Sequence, residues 1–196
     1  MKTLYLECNM GAAGDMLMAA LYELMSESEK QDFLETMNRL FPGVEIQPRQ
    51  AVTCGITGTH MDVTVRGEEE HSHDVALGCG HDHDHIHEHH HEHDHSHAHD
   101  HHHDHDHDHG HTHHHTAPAD IAALLDALDA PAEVKDAAKS IYARIADAEA
   151  KAHGMPVEKI HFHEVGALDA VADVTGACLA VHMLRPDHIT ASPVHL

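Results

Sequence analysis

The spacing of apolar residues predicts two helices at the start of the chain. Residues 3–6 form a strand-like apolar run, which is followed by the glycine-containing turn ECNMGAAGD. Helical spacing then places one set of apolar side chains on a single face of a first helix: Met16, Leu17, Ala20, Leu21 and Leu24. A second helix shows the same spacing in Phe33, Leu34, Met37 and Leu40.

The sequence also marks both ends of this second helix. Ser28 and Gln31 are three residues apart, as in a capping box, where side chains satisfy backbone N–H groups at the start of a helix. Pro42 and Gly43 follow the last apolar position and predict the end of the helix. We therefore expect the helix to lie between these two signals.

Two strands are predicted after the second helix. Residues 44–46 are largely apolar, and apolar residues alternate with polar ones over residues 61–65. Gly55 and Gly58 mark a bend or bulge between the two strands. The predicted order is βααββ, with the helices on one face of the sheet.

Residues 118–196 have mainly helical spacing. Pro118 precedes a helix whose apolar face is formed by Ile121, Leu124, Leu125 and Leu128. Pro131 opens a longer helix, which Gly154 and Pro156 close, with an apolar face formed by Val134, Ala138, Ile141, Ile145 and Ala148. The spacing predicts a last helix from Leu168 to Leu184.

These elements predict a mixed α+β fold of the α/β class in two small lobes. We expect an α/β lobe at residues 1–70, a His/Asp-rich insertion at residues 71–117 and a helical lobe at residues 118–196. Each lobe is near the lower size limit for an independent domain. We therefore expect the lobes to pack together or to need a partner.

Residues 71–115, here called the histidine tract, contain 23 of the 30 histidines of the chain, ten carboxylates and no lysine or arginine. Neutral imidazole binds Ni²⁺, Cu²⁺, Co²⁺ and Zn²⁺, and alternation with Asp places nitrogen and oxygen donors near one ion in almost any conformation. We predict that the tract binds metal and is disordered without it. The metal ligands expected at its centre are His81, His83, His85, His87, His89, His91, His93, His95, His97 and His99.

Simpler interpretations of the histidine tract are a purification tag and a solvating acidic linker. Tags are short, usually terminal and lack interleaved Asp and Glu. Charge runs are usually solvated, which keeps the linker open, but histidine at every second position has no solubility rationale. The Irving–Williams order favours Cu²⁺ and gives Ni²⁺ and Zn²⁺ comparable chances, so ligand type leaves the metal open.

Charge and cysteine usage narrow the class of protein. The formal net charge is -23 with histidine neutral, which argues against nucleic acid or an anionic membrane as a partner. The sequence predicts neither a signal peptide nor a membrane span. Four cysteines are scattered without a CxxC pair, which suits reduced thiols. We therefore expect a cytoplasmic protein.

The segment HFHEVGALDAVAD has the most chemistry outside the tract. His161 and His163 project to one side of an extended backbone, and Asp169 and Asp173 lie on one face of the last helix, with Glu164 between the two pairs. These side chains could bind one divalent ion, or the carboxylates could hold a hydrated Mg²⁺ against a phosphate. The alternative is a solvated or helix-capping face, with histidines that satisfy backbone groups.

The turn after the first strand is a second, weaker candidate. Gly11 and Gly14 could let backbone amides approach an anion at the helix N-terminus. The turn is neither a Walker A loop nor a full dinucleotide fingerprint, and Glu7 and Asp15 oppose a phosphate unless a metal lies between. Taken alone, a simple tight turn is the more ordinary interpretation.

Together, LYLECNMGAAGDM, the His/Asp insertion, HFHEVGALDAVADVTG and ITASPVHL closely resemble the LarC family of nickel-insertion proteins. The resemblance covers essentially the whole chain. It matches Gly11, Gly14, Asp15 and Met16 to the first family motif, and His161, His163, Glu164, Gly166, Asp169 and Asp173 to the second. Glu7 stands where the family more often has Asp, which shifts the carboxylate by one methylene and keeps its charge.

This resemblance implies insertion of Ni²⁺ into pyridinium-3,5-bisthiocarboxylic acid mononucleotide to make the nickel-pincer cofactor of lactate racemase. It implies Gly11, Gly14 and Asp15 as cofactor-binding residues, and Glu164 or His163 as the base that takes the ring proton. Family members are about twice as long, and their C-terminal half is understood to bind CTP with Mg²⁺ or Mn²⁺. Implied partners are that half, the apo nickel-pincer enzyme and a second copy in a homo-oligomer.

The sequence leaves the class of function open between an enzyme and a binding protein. One hypothesis is a nickel chelatase of the lyase class, or an incomplete part of one. The alternative is a non-enzymatic nickel or zinc store or metallochaperone, for which the tract alone would suffice. A GTPase-type metallochaperone is disfavoured because the sequence has no P-loop.

Overall fold

The computed structural model describes residues 1–9, 11–67, 116–162 and 164–194, including the backbone but not the side chain of Glu164. The helices of this part of the chain are α1 (Gly14–Glu23), α2 (Glu27–Leu40), α3 (Pro118–Ala127), α4 (Ala132–His153) and α5 (Leu168–Leu184). The strands are β1 (Thr3–Leu6), β2 (Val44–Thr53), β3 (Ile56–Val65) and β4 (His188–Ala191). The predicted mixed α+β class is confirmed.

The strands form two separate pairs rather than one sheet. β2 and β3 are an antiparallel hairpin that runs from the pair Val44↔Val65 to the pair Thr53↔Ile56. β1 instead pairs in parallel with β4, from Thr3↔His188 onward. The expectation that β1 joins β2 and β3 in one sheet is therefore wrong. Its partner is β4, which is distant in sequence, and a parallel pair needs a crossover connection rather than a tight turn.

The buried face of α1 also differs from the prediction. Met18, Ala19 and Leu21 are buried, whereas Met16, Ala20 and Leu24 are exposed. The physical reason lies on α5, where a methyl group on Gly176 would overlap the sulfur of Met18. The missing side chain makes room for Met18, so α1 turns this side chain toward α5 and Met16 away from it.

Helix α2 keeps its predicted face but begins at a different capping box. Phe33, Met37 and Leu40 are buried, as the spacing predicted, with Leu34 partly buried against the same core. The cap is Ser26 with Glu29: the Ser26 N–H donates to Glu29 Oε2 at 2.8 Å, and the Glu29 N–H donates to Ser26 Oγ. The prediction of Ser28 with Gln31 is wrong by two residues. Ser26 has the extended backbone that a cap requires.

The ends of α3, α4 and α5 agree with the prediction, but the faces agree only in part. On α3, Ile121 and Leu125 are buried, Leu128 is buried just beyond the helix, and Leu124 is exposed. The buried face of α4 is Val134, Ala138, Tyr142, Ala146 and Ala150, so Ile141 and Ala148 were assigned to the wrong side. This four-residue repeat of mostly small side chains lets α4 lie close to its neighbours α3 and α5.

Residues from both ends of the chain belong to one compact unit, bounded as Met1–His71 and His113–Leu196. Within it, α1 packs against α5 and β3, and α4 packs against α3 and α5. The predicted boundary at residue 70 and the predicted disorder of the tract lie outside the described residues. The boundary at residue 117, directly before α3, stays a prediction. No helix in the described ranges is both long and apolar enough to cross a membrane.

Candidate metal centre

The carboxyl ends of the parallel strands β1 and β4 bring two of the sequence motifs together. The Cys8 N–H donates to Ser192 Oγ at 2.8 Å, and the Ser192 N–H donates to the Leu6 carbonyl oxygen at 2.9 Å. The Gly11 N–H in turn donates to the Cys8 carbonyl oxygen at 3.2 Å. The turn after β1 is thereby held beside the residues that follow β4.

The start of α1 touches α5 at the second aspartate of the DAVAD segment. A methyl group on Gly14 would lie 2.7 Å from Asp173 Cβ and 3.1 Å from Asp173 Oδ2. The backbone N–H of Asp15 lies near the Asp173 carboxylate and lowers its pKa. Because the free N–H groups at a helix N-terminus attract negative charge, this position suits a carboxylate. Two motifs that are more than 150 residues apart in sequence thus form one site.

Burial and neighbouring negative charge make Asp173 the most perturbed carboxyl group of this site. Burial, together with the nearby carboxylates of Asp15 and Asp169, raises the pKa of Asp173 to about 7, against the opposing effect of the Asp15 N–H. Its Oδ1 atom is buried and has no hydrogen-bond partner. A bound divalent cation would satisfy this oxygen and replace the proton, as metal binding to carboxylates generally does.

The raised pKa of Asp173 predicts a pH-dependent stability. Between pH 4 and 7 the folded state binds a proton at Asp173 that the unfolded state has released, so this group destabilises the fold as pH rises. Asp173→Asn should remove this contribution and stabilise the protein at pH 8 more than at pH 5. Urea unfolding of both proteins in EDTA across this range measures the difference. If the free energy of unfolding of Asp173→Asn fell between pH 5 and pH 8 as much as that of the wild type, the prediction would be contradicted. Asp147→Asn, on the exposed side of α4, is the control.

A histidine that the sequence reading did not single out lies on the other side of Asp15. His60 on β3 has its Nδ1 atom 3.9 Å from Asp15 Oδ2 and its Nε2 atom 3.2 Å from Asp62 Oδ1. Arg49 binds Asp62 through two hydrogen bonds of 2.7 and 2.9 Å. The available signal was the alternation of His60 and Asp62 around the buried Met61, which places both polar side chains on one face of a strand.

The HFH segment is extended, with its two described side chains on opposite sides. The Phe162 N–H donates to the Thr116 carbonyl oxygen at 2.8 Å, and Phe162 is buried while His161 is exposed. Tyr142 packs its ring 5.8 Å from that of Phe162 and donates its hydroxyl to the Val165 carbonyl oxygen at 3.0 Å. The buried Phe162 and the contacts of Tyr142 thus fix the position of the segment.

The pKa of Tyr142 indicates that the HFH segment lies near the two aspartates of α5. Burial raises the pKa of Tyr142, and the carboxylates of Asp169 and Asp173 raise it further. Asp169 Oδ1 accepts the N–H of Ala170 at 2.6 Å, as in the helix-capping interpretation of this residue. The phenol, the two aspartates and the HFH segment therefore share one region of the unit.

The structure describes some of the predicted site residues and leaves others out. Asp15 and Asp173 meet, Asp169 is near them, and Gly14 accommodates Asp173, which is a packing role. His163, the side chain of Glu164 and the tract histidines lie outside the described residues. Among the side chains that are described, no three His, Cys, Asp or Glu residues are arranged to hold a metal ion. The metal, cofactor and base assignments therefore stay predictions.

Comparison with known proteins gives a consistent result. A family profile described as "Nickel insertion protein" matches residues 4–196. The chain is 38% identical over 194 residues to the pyridinium-3,5-bisthiocarboxylic acid mononucleotide nickel insertion protein of Lactiplantibacillus plantarum, covering 99% of this chain and 40% of that protein. Its counterpart in Clostridium acetobutylicum is 38% identical over 198 residues, covering 100% and 44%. No solved structure matches the chain.

A relative with a less specific name gives similar coverage. The putative nickel insertion protein of Geotalea daltonii is 30% identical over 197 residues, which covers 100% of this chain and 39% of that protein. The chain thus spans about two fifths of the length of the curated relatives it matches.

Proposed function

This chain belongs to the nickel insertion protein family, and we propose that it supplies the nickel-handling part of a protein that inserts Ni²⁺ into pyridinium-3,5-bisthiocarboxylic acid mononucleotide. The observation that carries the proposal is the meeting of the GAAGD turn with the DAVAD helix at Asp173. Two separated family motifs come into contact there, in a chain that matches the family over nearly its whole length, which supports the proposal.

The proposed ordered nickel site is formed by Asp169 and Asp173 on α5 with His161, His163 and Glu164 from the preceding segment. Ni²⁺ binds imidazole nitrogen and carboxylate oxygen. The unpartnered Asp173 Oδ1 and the mutual repulsion of the neighbouring carboxylates support a cation at this position. Nickel is a substrate of the reaction, so this site holds it only until the organic substrate takes it.

The histidine tract has a loading role in this proposal. Its imidazoles, among them His81 to His99 at alternate positions, offer many weak and exchangeable sites. Such sites raise the local concentration of Ni²⁺ and release it stepwise to the ordered site, because each ligand competes with its neighbours. The tract therefore supplies metal and does no chemistry itself.

In the proposed reaction the two thiocarboxylate groups replace protein and water ligands on Ni²⁺. A nickel–carbon bond then forms at the pyridinium ring as the ring carbon loses its proton to His163 or Glu164. The C–H bond breaks so that the proton goes to the base and the bonding electron pair stays on the ring carbon, where it forms the bond to Ni²⁺; no electron transfer is required. We propose that the remaining part of the longer relatives binds CTP with Mg²⁺ or Mn²⁺, and that the product serves apo lactate racemase in the cytoplasm.

A second candidate function is a nickel or zinc store, which the composition of the tract favours. Deletion of residues 71–115 separates the two functions. For an insertion protein we expect the deletion to raise the Ni²⁺ concentration needed for half-maximal product formation and to leave the rate at excess Ni²⁺ within about twofold. A store would instead lose most of its bound metal and its function together. Mass spectrometry of the metallated product and metal analysis of the protein measure these outcomes.

A further inference from the structure

His60 lies beside the candidate metal centre but outside the family motifs that define it. The imidazole is carried by β3, which packs against α1, and its Nδ1 atom is 3.9 Å from Asp15 Oδ2. This distance exceeds that of a hydrogen bond, so the two groups are neighbours without being bonded. The side chain of His60 is about two fifths exposed and that of Asp15 about one third, which leaves the space between them open to small solutes.

The other side of the His60 ring faces a fixed carboxylate. Asp62 Oδ1 lies 3.2 Å from Nε2, and Arg49 holds Asp62 in place and keeps its pKa below the usual range. An ionised carboxylate at this distance favours the proton on Nε2. The lone pair then lies on Nδ1, the nitrogen that faces Asp15. Metal-binding histidines commonly have this arrangement, in which a carboxylate orients the ring from the nitrogen that does not bind metal.

The separation of the two candidate ligand atoms fits a shared metal ion. Imidazole nitrogen and carboxylate oxygen each lie about 2.1 Å from a bound first-row divalent ion. Two such atoms are about 3 Å apart at a right angle and about 4.2 Å apart on opposite sides of the ion. The observed 3.9 Å falls within this range, so one ion fits between His60 and Asp15 with little movement of either side chain.

We propose that His60 and Asp15 form a two-residue Ni²⁺ transfer site at the outer edge of the candidate metal centre. Two protein ligands leave most coordination positions to water, so an incoming thiocarboxylate or a tract imidazole can exchange there. The backbone of Asp15 also contacts Asp173, which places the transfer site next to the carboxylates of α5. The identity of the metal rests on the proposed function, whereas the position of the site rests on geometry.

The test is paramagnetic NMR of the intact chain with NiCl2 as the only added ligand. Backbone amide signals of residues 14–16 and 58–62 should lose intensity once Ni²⁺ exceeds the amount that the tract binds, because an ion at His60 lies within a few ångströms of them. In His60→Ala the loss at residues 58–62 should disappear while signals elsewhere keep their positions. Residues 14–16 also adjoin Asp173, so they keep whatever loss an ion at the ordered site causes. Asp62→Asn, which leaves the imidazole in place but removes its orienting carboxylate, should need about 10-fold more Ni²⁺ for the same effect.

His153 gives a matched control because it also pairs with a carboxylate. Its Nε2 atom is 3.3 Å from Glu149 Oε2 on the exposed side of α4. His153→Ala should leave the intensity losses at residues 14–16 and 58–62 unchanged. Equal losses at residues 58–62 in the wild type and in His60→Ala, or no loss there in either, would overturn the transfer site. The experiment uses no organic substrate, so failure of nickel insertion alone would count against the proposed function and not against this site.

Discussion

Replacement of Asp169 and Asp173 by asparagine is expected to lower nickel insertion by the longer protein at least about 100-fold. Loss of groups that only orient a metal ligand already costs about 10- to 100-fold, and these carboxylates are the proposed ligands themselves. Asparagine keeps the shape of each side chain and removes its charge. It also relieves the repulsion around Asp173, so the variant should fold at least as well as the wild type. Product formation at excess Ni²⁺ is the measurement.

The histidines of the same site provide an independent arm of this experiment. His161→Ala combined with His163→Ala should reduce insertion to a comparable extent, whereas Asp147→Asn on α4 should leave it unchanged. Loss of product without loss of Ni²⁺ binding would indicate that these residues act on the organic substrate rather than on the metal. Full activity in a protein in which these two histidines and both aspartates are replaced would rule out the proposed ordered site.

The largest expected effect on folding is that of Phe162→Ala, at about 3–5 kcal/mol. Phe162 is 1% exposed, and its ring packs at an angle against that of Tyr142. Its backbone forms an antiparallel bridge with Thr116. Since small domains are stable by only about 5–15 kcal/mol, this loss would unfold a large part of the population on modest heating. Urea unfolding measures the free energy directly.

A conservative substitution at the same position separates packing from other causes. Phe162→Leu keeps an apolar side chain and should cost less than half as much as alanine. Because the HFH segment positions His161, the alanine variant should also lose insertion activity at temperatures where it is still folded. An alanine variant that loses less than about 1 kcal/mol would show that the buried ring does not anchor this segment.

Sequence reasoning predicted best the features that depend on neighbouring residues. The bounds of α5 and the apolar face of α2 follow from helical periodicity, and the end of α4 follows from Gly154, which adopts a left-handed conformation at its C-cap. The capping box was placed two residues late because several Ser, Glu and Gln residues near Ser26 satisfy the same pattern. Local signals therefore predicted these helices well and misplaced one capping box by two residues.

Features that depend on distant residues were missed. β4 is only four residues long and is exposed throughout, so nothing local indicated that it pairs with β1. The face of α1 is set by the recess at Gly176, which lies far away in sequence. The same limit explains why His60 escaped notice, since its distance to Asp15 depends on how β3 packs against α1. The sequence pointed to Asp169 and Asp173, but the contact between Asp173 and Gly14 depends on how α1 packs against α5.

The most direct test of the central claim is reconstitution of the insertion reaction with defined components. This chain is mixed with pyridinium-3,5-bisthiocarboxylic acid mononucleotide, CTP, Mg²⁺ and Ni²⁺, with and without the remaining part of a longer relative, and the products are analysed by mass. We predict the nickel-containing nucleotide when both parts are present, and its loss when Asp169 and Asp173 are replaced by asparagine. Absence of a metallated product from both parts together at excess Ni²⁺ would contradict the account.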